Sequence, residues 1–209
     1  MPCTKLPDFE KGMEIKMKIY DISQELFGSF VFPGDITPKW ERVLKISEGS
    51  PCNLTNLTMC VHNGTHVDAP YHFLDDGKTI ESLDLDKCIG MATLVTSSGI
   101  LEEEEARKII ETCEKRLLIK GDVLLSAAAS EVFAEAGIIL IGIEASSIDQ
   151  GGESFHNHYT LLKKGIVIVE GLRMGDVTPG NYLLNCAPLN LAGCDGSPCR
   201  AVLIDLEKE

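Results

Sequence analysis

The sequence predicts an α/β single domain, a mixed sheet with flanking helices. Three observations carry this expectation. The chain has 209 residues, within the span of about 100–200 residues typical of one domain, so one hydrophobic core is expected. Short apolar runs bounded by Gly, Pro, Asn or Ser recur along it and read as strands. Between them lie charged segments with helical spacing.

In chain order, the stretch TKLPDFEKGMEIKMK is charged and poor in apolar residues. Residues 1–16 therefore read as an N-terminal extension and 17–209 as the domain, with MKIYDIS from Met17 a natural chain start. A Pro/Gly-bearing segment, FGSFVFPGDITPKW, precedes NLTNLTMCV, whose alternation predicts a strand leading toward a histidine cluster. Further strands are predicted at MATLVTSS from Met91, DVLLSA from Asp122, GIILIGI from Gly137, GIVIVEG from Gly165, NYLLN from Asn181 and AVLIDL from Ala201. LEEEEARKIIETCEKR, from Leu101, places Ala106, Ile109, Ile110 and Cys113 at helical spacing. Acidic residues open it and basic residues close it, as the helix dipole favours. Its charge run is a solvated face. Shorter helices are predicted at ASEVFAEAG, stopped by Gly137, and HYTLLKKG, stopped by Gly165.

Lys and Arg number 19 against 32 Asp and Glu, a formal charge of -13. Such a surface repels phosphate backbones and anionic headgroups, so neither nucleic acid nor a membrane is an expected partner. No apolar run approaches the roughly 20 residues of a membrane helix, and the N-terminal stretch has no apolar signal core, so a cytoplasmic location is expected. The eight cysteines form no C-x-x-C pair and read as small core hydrophobes.

HNGTHVDAPYH, residues 62–72, concentrates His62, His66, Asp68 and His72. Imidazole and carboxylate together suit zinc, manganese or iron. Residues two apart on a strand point the same way, so His66 and Asp68 can share an ion. Gly64 permits a turn that brings in His62, and Pro70 stiffens the exit toward His72. The other two histidines, His156 and His158, lie in HNHYTLLKKGIVIVEG, which ends in Glu170. Ile166, Ile168 and Glu170 share a strand face, which carries the carboxylate inward, where a cation offsets its charge. Spacing alone leaves open which of His156 and His158 is a ligand. Five or six donors exceed one tetrahedral zinc, so two ions or one wider shell are expected. Such a centre activates water for hydrolysis.

These residues resemble the metal-dependent cyclase-like hydrolases, which include bacterial kynurenine formamidase and isatin hydrolase. HNGTHVDAPYH is similar to that family's H-x-G-T-H-x-D-x-P-x-H signature at every fixed position. YDIS, FPGD, GIEASSID, IVEGL and APLNLAGCDGSPCRAV fall in the same order, so the likeness runs from about Met17 to Leu206. The resemblance implies a swivelling β/β/α fold, assembled as a homodimer or homotetramer. It implies one or two divalent ions per subunit, zinc or in some members manganese. His62, His66 and Asp68 would hold one ion, His158 and a bridging Glu170 the other, and His72 would move the proton. The implied substrate is a small molecule, N-formylkynurenine, cleaved to kynurenine and formate, with cyclic amides or lactones as alternatives. Three departures bear on substrate. Phe32 stands where kynurenine formamidases carry the substrate-packing tryptophan, SAAAS from Ser126 replaces an R-T-G-like element, and Glu144 replaces an aspartate. Two non-hydrolase alternatives remain at this level. One is a ferrous dioxygenase built on His66, Asp68 and His158, which requires an all-β jelly roll; the other is a non-catalytic metal-binding protein.

Overall fold

A computed structural model describes residues 16–149 and 154–207. In chain order its first elements are β1 (Lys16–Asp21), β2 (Lys39–Leu44), β3 (Leu54–Thr58), β4 (His66–Asp68) and β5 (Ile89–Thr96). Next come β6 (Gly99–Leu101), α1 (Glu103–Ile110), β7 (Arg116–Lys120), β8 (Val123–Leu125), α2 (Ala127–Glu135) and β9 (Leu140–Ile143). The chain then forms α3 (His156–Lys163), β10 (Val167–Glu170), β11 (Gly180–Asn185), β12 (Gly196–Pro198) and β13 (Val202–Glu207). Nine strands make one mixed sheet in the order β1-β13-β11-β5-β7-β9-β10-β4-β12. Its middle, β5-β7-β9-β10, is parallel, and both margins are antiparallel.

Strands of a parallel sheet are covered on both faces, so β9 and β10 are buried throughout and apolar except for Glu170. The pleat then sorts alternate residues into two packed layers. Leu118, Leu140, Val167 and Val169 join Leu184 and Leu203 on one side. Leu117, Ile119, Ile141 and Ile168 face the other, with Phe133, Leu161 and Leu162 of the helices. The single core expected from length is thus two cores divided by the sheet.

The helix expected from Leu101 is shorter than predicted. Leu101 closes β6, α1 ends at Ile110, and Arg116–Lys120 is a central strand. Charges at both ends of RLLIK hide its apolar middle, and both find backbone acceptors. Arg116 Nε donates to Lys87 O at 3.0 Å and Lys120 Nζ to Val177 O at 3.0 Å. Strands β2, β6 and β12 were not anticipated either, being charged or only three residues long. SAAAS opens α2, where the Ser126 hydroxyl accepts from Ala129 N at 3.2 Å as an N-cap. The predicted NLTNLTMCV strand does form, as β3, but pairs with β2 in a separate arm with exposed side chains. Residues 1–15 of the predicted extension lie outside the described residues. The α/β architecture is not the jelly roll required by the dioxygenase alternative. Among the described residues no helix is long and apolar enough to cross a membrane.

Candidate metal centre

The centre forms where the parallel strands end, the usual position for ligands in α/β sheets. β4 runs antiparallel to β10, and the register sets Glu170 opposite His66 and Ile168 opposite Asp68. His66 and Asp68, two apart, share a face as expected. β12 lies on the other side of β4, with Gly196 opposite Asp68, which brings in Asp195. Gly196 has to be glycine here, because a Cβ would lie 2.6 Å from His62 Cε1. Gly64 has φ +71°, the left-handed turn that returns His62 over β4. His72 ends a short 3-10 turn begun by Pro70, and its ring stacks on His62 at 4.0 Å. His158 comes from the first turn of α3.

Three imidazoles share one pattern. Each has one nitrogen held by an outer acceptor and the other directed at Asp68 or Glu170. His62 Nε2 meets Asp195 Oδ2 at 2.8 Å, and its Nδ1 lies 3.0 Å from Asp68 Oδ1. His66 Nδ1 meets Gly64 O at 3.0 Å, and its Nε2 lies 3.5 Å from both Asp68 Oδ1 and Glu170 Oε2. His158 Nδ1 meets Asp149 Oδ2 at 2.5 Å, and its Nε2 lies 3.3 Å from Glu170 Oε1 and 3.6 Å from Asp68 Oδ2. Metal-binding histidines are oriented in this way, the outer acceptor fixing tautomer and ring.

The donors fit a metal. Two ligand atoms about 2.0–2.1 Å from one tetrahedral zinc stand about 3.3–3.4 Å apart, close to most of the inward separations. Most of those separations are long for hydrogen bonds. Asp68 Oδ2 is buried with no hydrogen-bond partner, an orphan that would cost about 1–3 kcal/mol unless something binds it. His62, His66 and Asp68 bring ligand atoms within 4.8 Å of one another, as do Asp68, His72 and His158.

Electrostatics point the same way. Burial depresses the His62 imidazole, but hydrogen bonds to Asp195 and Asp68 more than offset it and raise its pKa to about 10. His158 is likewise opposed by burial, yet Asp149, Asp68 and Glu170 raise it to about 11. Burial opposes ionisation of Asp68, but His158 and His62 hold its carboxyl well below the usual range. Burial lowers His72 instead. The carboxylates thus collect positive charge at the place where a divalent ion would supply it.

Of the residues expected at the centre, His62, His66, Asp68, His72, His158 and Glu170 come together. His156, left open on spacing, points elsewhere: its Nε2 lies 3.2 Å from Thr160 Oγ1 and 3.4 Å from Glu131 Oε1. Phe32 lines a cavity of about 230 Å³ over the cluster, with Asp35, Phe73, Ser146, Ser147 and Phe155. Two site residues escaped the sequence reading. Asp149 accepts from the amides of Asn157 (3.0 Å) and His158 (3.2 Å) while holding the His158 ring. Asp195 Oδ2 is shared by His62 Nε2 and His72 Nδ1, at 2.8 and 3.1 Å. Both aspartates sit in stretches that matched the resemblance, GIEASSID and AGCDGS, which was the available signal.

Residues 20–150 match the Cyclase family, described as "Putative cyclase". A kynurenine formamidase from Erythrobacter litoralis (strain HTCC2594) is 35% identical over 204 residues, covering 90% of this chain and 94% of that protein. A solved structure described as a potential metal-dependent hydrolase with cyclase activity is 30% identical, with TM-score 0.79 over 92% of this chain and all of that one. Isatin hydrolase A from Labrenzia aggregata is only 19% identical but shares the fold, with TM-score 0.79 over 91% of this chain and 94% of its own. Signature, fold and relatives agree, and the chain belongs to the cyclase family of metal-dependent hydrolases.

Proposed function

We propose that this hydrolase opens an aryl formamide, converting N-formylkynurenine and water to kynurenine and formate. The single observation that carries the reading is the shared pattern of His62, His66 and His158, each braced outward and directed inward at Asp68 and Glu170. Together with the formamidase relatives, it supports a hydrolytic centre. His62, His66 and Asp68 would hold one divalent ion and His158 with Glu170 a second. The donor set suits zinc first and manganese second. When bound, such an ion lowers the pKa of water toward neutrality and polarises a carbonyl.

The chain's remaining residues orient and move the proton. Asp195 holds His72 Nδ1, and His72, which lines the cavity, keeps Nε2 without a hydrogen bond among the described residues. From there His72 takes the proton released by the attacking water and returns it to the departing aniline nitrogen. Phe32, with Phe155, offers the aryl ring an apolar wall. Cyclic amides and lactones need the same wall and the same proton transfer, and remain the alternative substrates.

The test is turnover of N-formylkynurenine by protein stripped with chelator and then reloaded with zinc or manganese. Activity should vanish and return with the ion. A metal-loaded protein inert toward formamides, cyclic amides and lactones alike would leave the non-catalytic reading.

The reading includes a homodimer or homotetramer. Trp40, Leu44, Leu54 and Leu57 of the β2–β3 arm are exposed, and a hairpin without further packing is marginal in water. Light scattering on purified protein should give a multiple of the 22.8 kDa chain mass.

A further inference from the structure

Phe73 has no polar group, yet it touches two of the imidazoles at the centre. It closes the short 3-10 turn that carries His72, where Pro70 O accepts from Phe73 N at 3.3 Å and from Leu74 N at 3.0 Å. The following loop lies so close to that turn that a Cβ on Gly77 would stand 2.5 Å from Pro70 C. From this fixed base the Phe73 ring meets His72 edge to face, with centroids 4.6 Å apart at 81°, and stacks on His158, with centroids 4.4 Å apart at 26°. The two imidazoles are themselves 6.0 Å apart. Among the described residues no third ring contacts both.

These contacts supply a restraint that the hydrogen bonds lack. Each imidazole has one acceptor at Nδ1, Asp195 at 3.1 Å for His72 and Asp149 at 2.5 Å for His158. One such bond fixes a direction in the ring plane, but the last torsion of a histidine is intrinsically broad, so the ring can still tilt. A second ring packed against it removes that freedom. His72 needs this more, because its brace is open to water: its side chain is 28% exposed and that of Asp195 39%. Asp68, His72 and His158 could together hold an ion, so the tilt of His72 decides whether it acts on substrate or joins the cage. Phe73 is locked in turn by Phe155 at 5.2 Å, Tyr159 at 5.3 Å and the helix-side core. Since His158 and Tyr159 both sit on α3, the ring ties the His72 turn to the helix that carries His158.

We infer that Phe73 is a positioning residue for the proton transfer: its one ring packs on both His72 and His158 and fixes the base relative to that metal-directed imidazole. This rests on the hydrolytic reading and deepens it. Phe73 also lines the cavity, beside Phe32 and Phe155, so the rival role is a wall for substrate. Kinetics separate the two, because a lost wall raises KM whereas a displaced base lowers kcat.

The experiment compares Phe73→Leu, which keeps bulk and loses the flat ring, with Phe73→Tyr, which keeps the ring, on zinc-loaded protein turning over N-formylkynurenine. Phe73→Leu should lower kcat by about 10- to 100-fold, the scale on which a slightly misplaced group acts, with KM within about twofold of wild type. Phe73→Tyr should stay within about threefold of wild type in both constants. A chelator-competition titration, which needs no turnover, should find zinc held about three- to tenfold less tightly in Phe73→Leu, the worth of a lost ring contact on His158. A raised KM with unchanged kcat would make Phe73 a substrate wall. Equal loss of kcat in the two variants, or a lowered melting temperature with kcat intact, would make it core packing. Each of these results would overturn the inference. A wild-type protein inert toward formamides, cyclic amides and lactones would instead reject the hydrolytic reading and the proton-transfer role with it. Weaker zinc binding in Phe73→Leu would even then support the packing on His158, and unchanged zinc affinity would overturn that as well.

Discussion

The strand-borne and loop-borne halves of the centre differ in how they are held. His66, Asp68 and Glu170 project from paired strands whose register fixes their spacing, and all three are buried. His72 and Phe32 stand on turns, more open to solvent, and owe their positions to Asp195, a stacking contact with His62 and a Pro-Gly turn. The difference teaches a division of labour. Under the proposed function the rigid half takes the task that tolerates least displacement, caging a cation, and the turn-borne half takes proton transfer and substrate packing.

The largest effect should come from the rigid half. Asp68 is approached by all three braced imidazoles. Asp68→Ala should therefore lose both the bound ion and essentially all turnover, a fall of about a thousandfold or more. Metal analysis beside kinetics checks this, and full metal content in the variant would show that the cage does not depend on its centre. His72→Ala probes the other half. It should keep most of the metal yet lose about 10²–10⁴ in kcat, the usual weight of a positioned acid–base group. Equal loss of metal in the two variants would erase the distinction between halves, and would make His72 a ligand, as its reach to Asp68 and His158 permits.

The same division governs what could be read from sequence. Strand-borne residues are legible because a period of two is a strong local signal: His66-x-Asp68 and the buried face ending in Glu170 are visible without a structure. The strands β9 and β10 were legible as short unbroken apolar runs, and α1 by its 3.6-residue period. Asp149 and Asp195 are acceptors for ring nitrogens of residues 9 and 133 positions away, and no spacing rule encodes such a contact. Strand β7 was lost for another reason. Burial of its middle is decided by the strands on either side, while its charged ends resemble a continuation of the preceding helix. The β2–β3 arm shows the converse, a run with a strand's alternation that its own sheet does not cover.

Asp149 joins the halves, since it braces a metal-directed ring without approaching the centre itself. Asp149→Asn keeps the shape and can still accept from Asn157 N through its one oxygen, but removes the charge and the second acceptor that orient His158 Nδ1. Outer partners of this kind are worth about 10- to 100-fold in metal affinity or activity. The variant should thus fall between wild type and Asp68→Ala in a zinc competition titration. Affinity equal to wild type would mean that the 2.5 Å contact positions the helix and not the ligand.

The smallest effect belongs to Phe32, which the proposed function sets against substrate alone. It is 43% exposed, so truncation leaves a wider mouth rather than a core cavity, and folding should be little affected. Phe32→Ala should raise KM for an aryl formamide by about three- to tenfold, the worth of a lost aromatic contact of about 0.5–1.5 kcal/mol, with metal content unchanged. Phe32→Trp restores a ring and adds area, so it should bind the aryl substrate at least as well as the native residue. If instead Phe32→Ala lowered metal content, the ring would be supporting His62 and His72 from outside, and the boundary between caging and substrate packing would have to be moved inward by one residue.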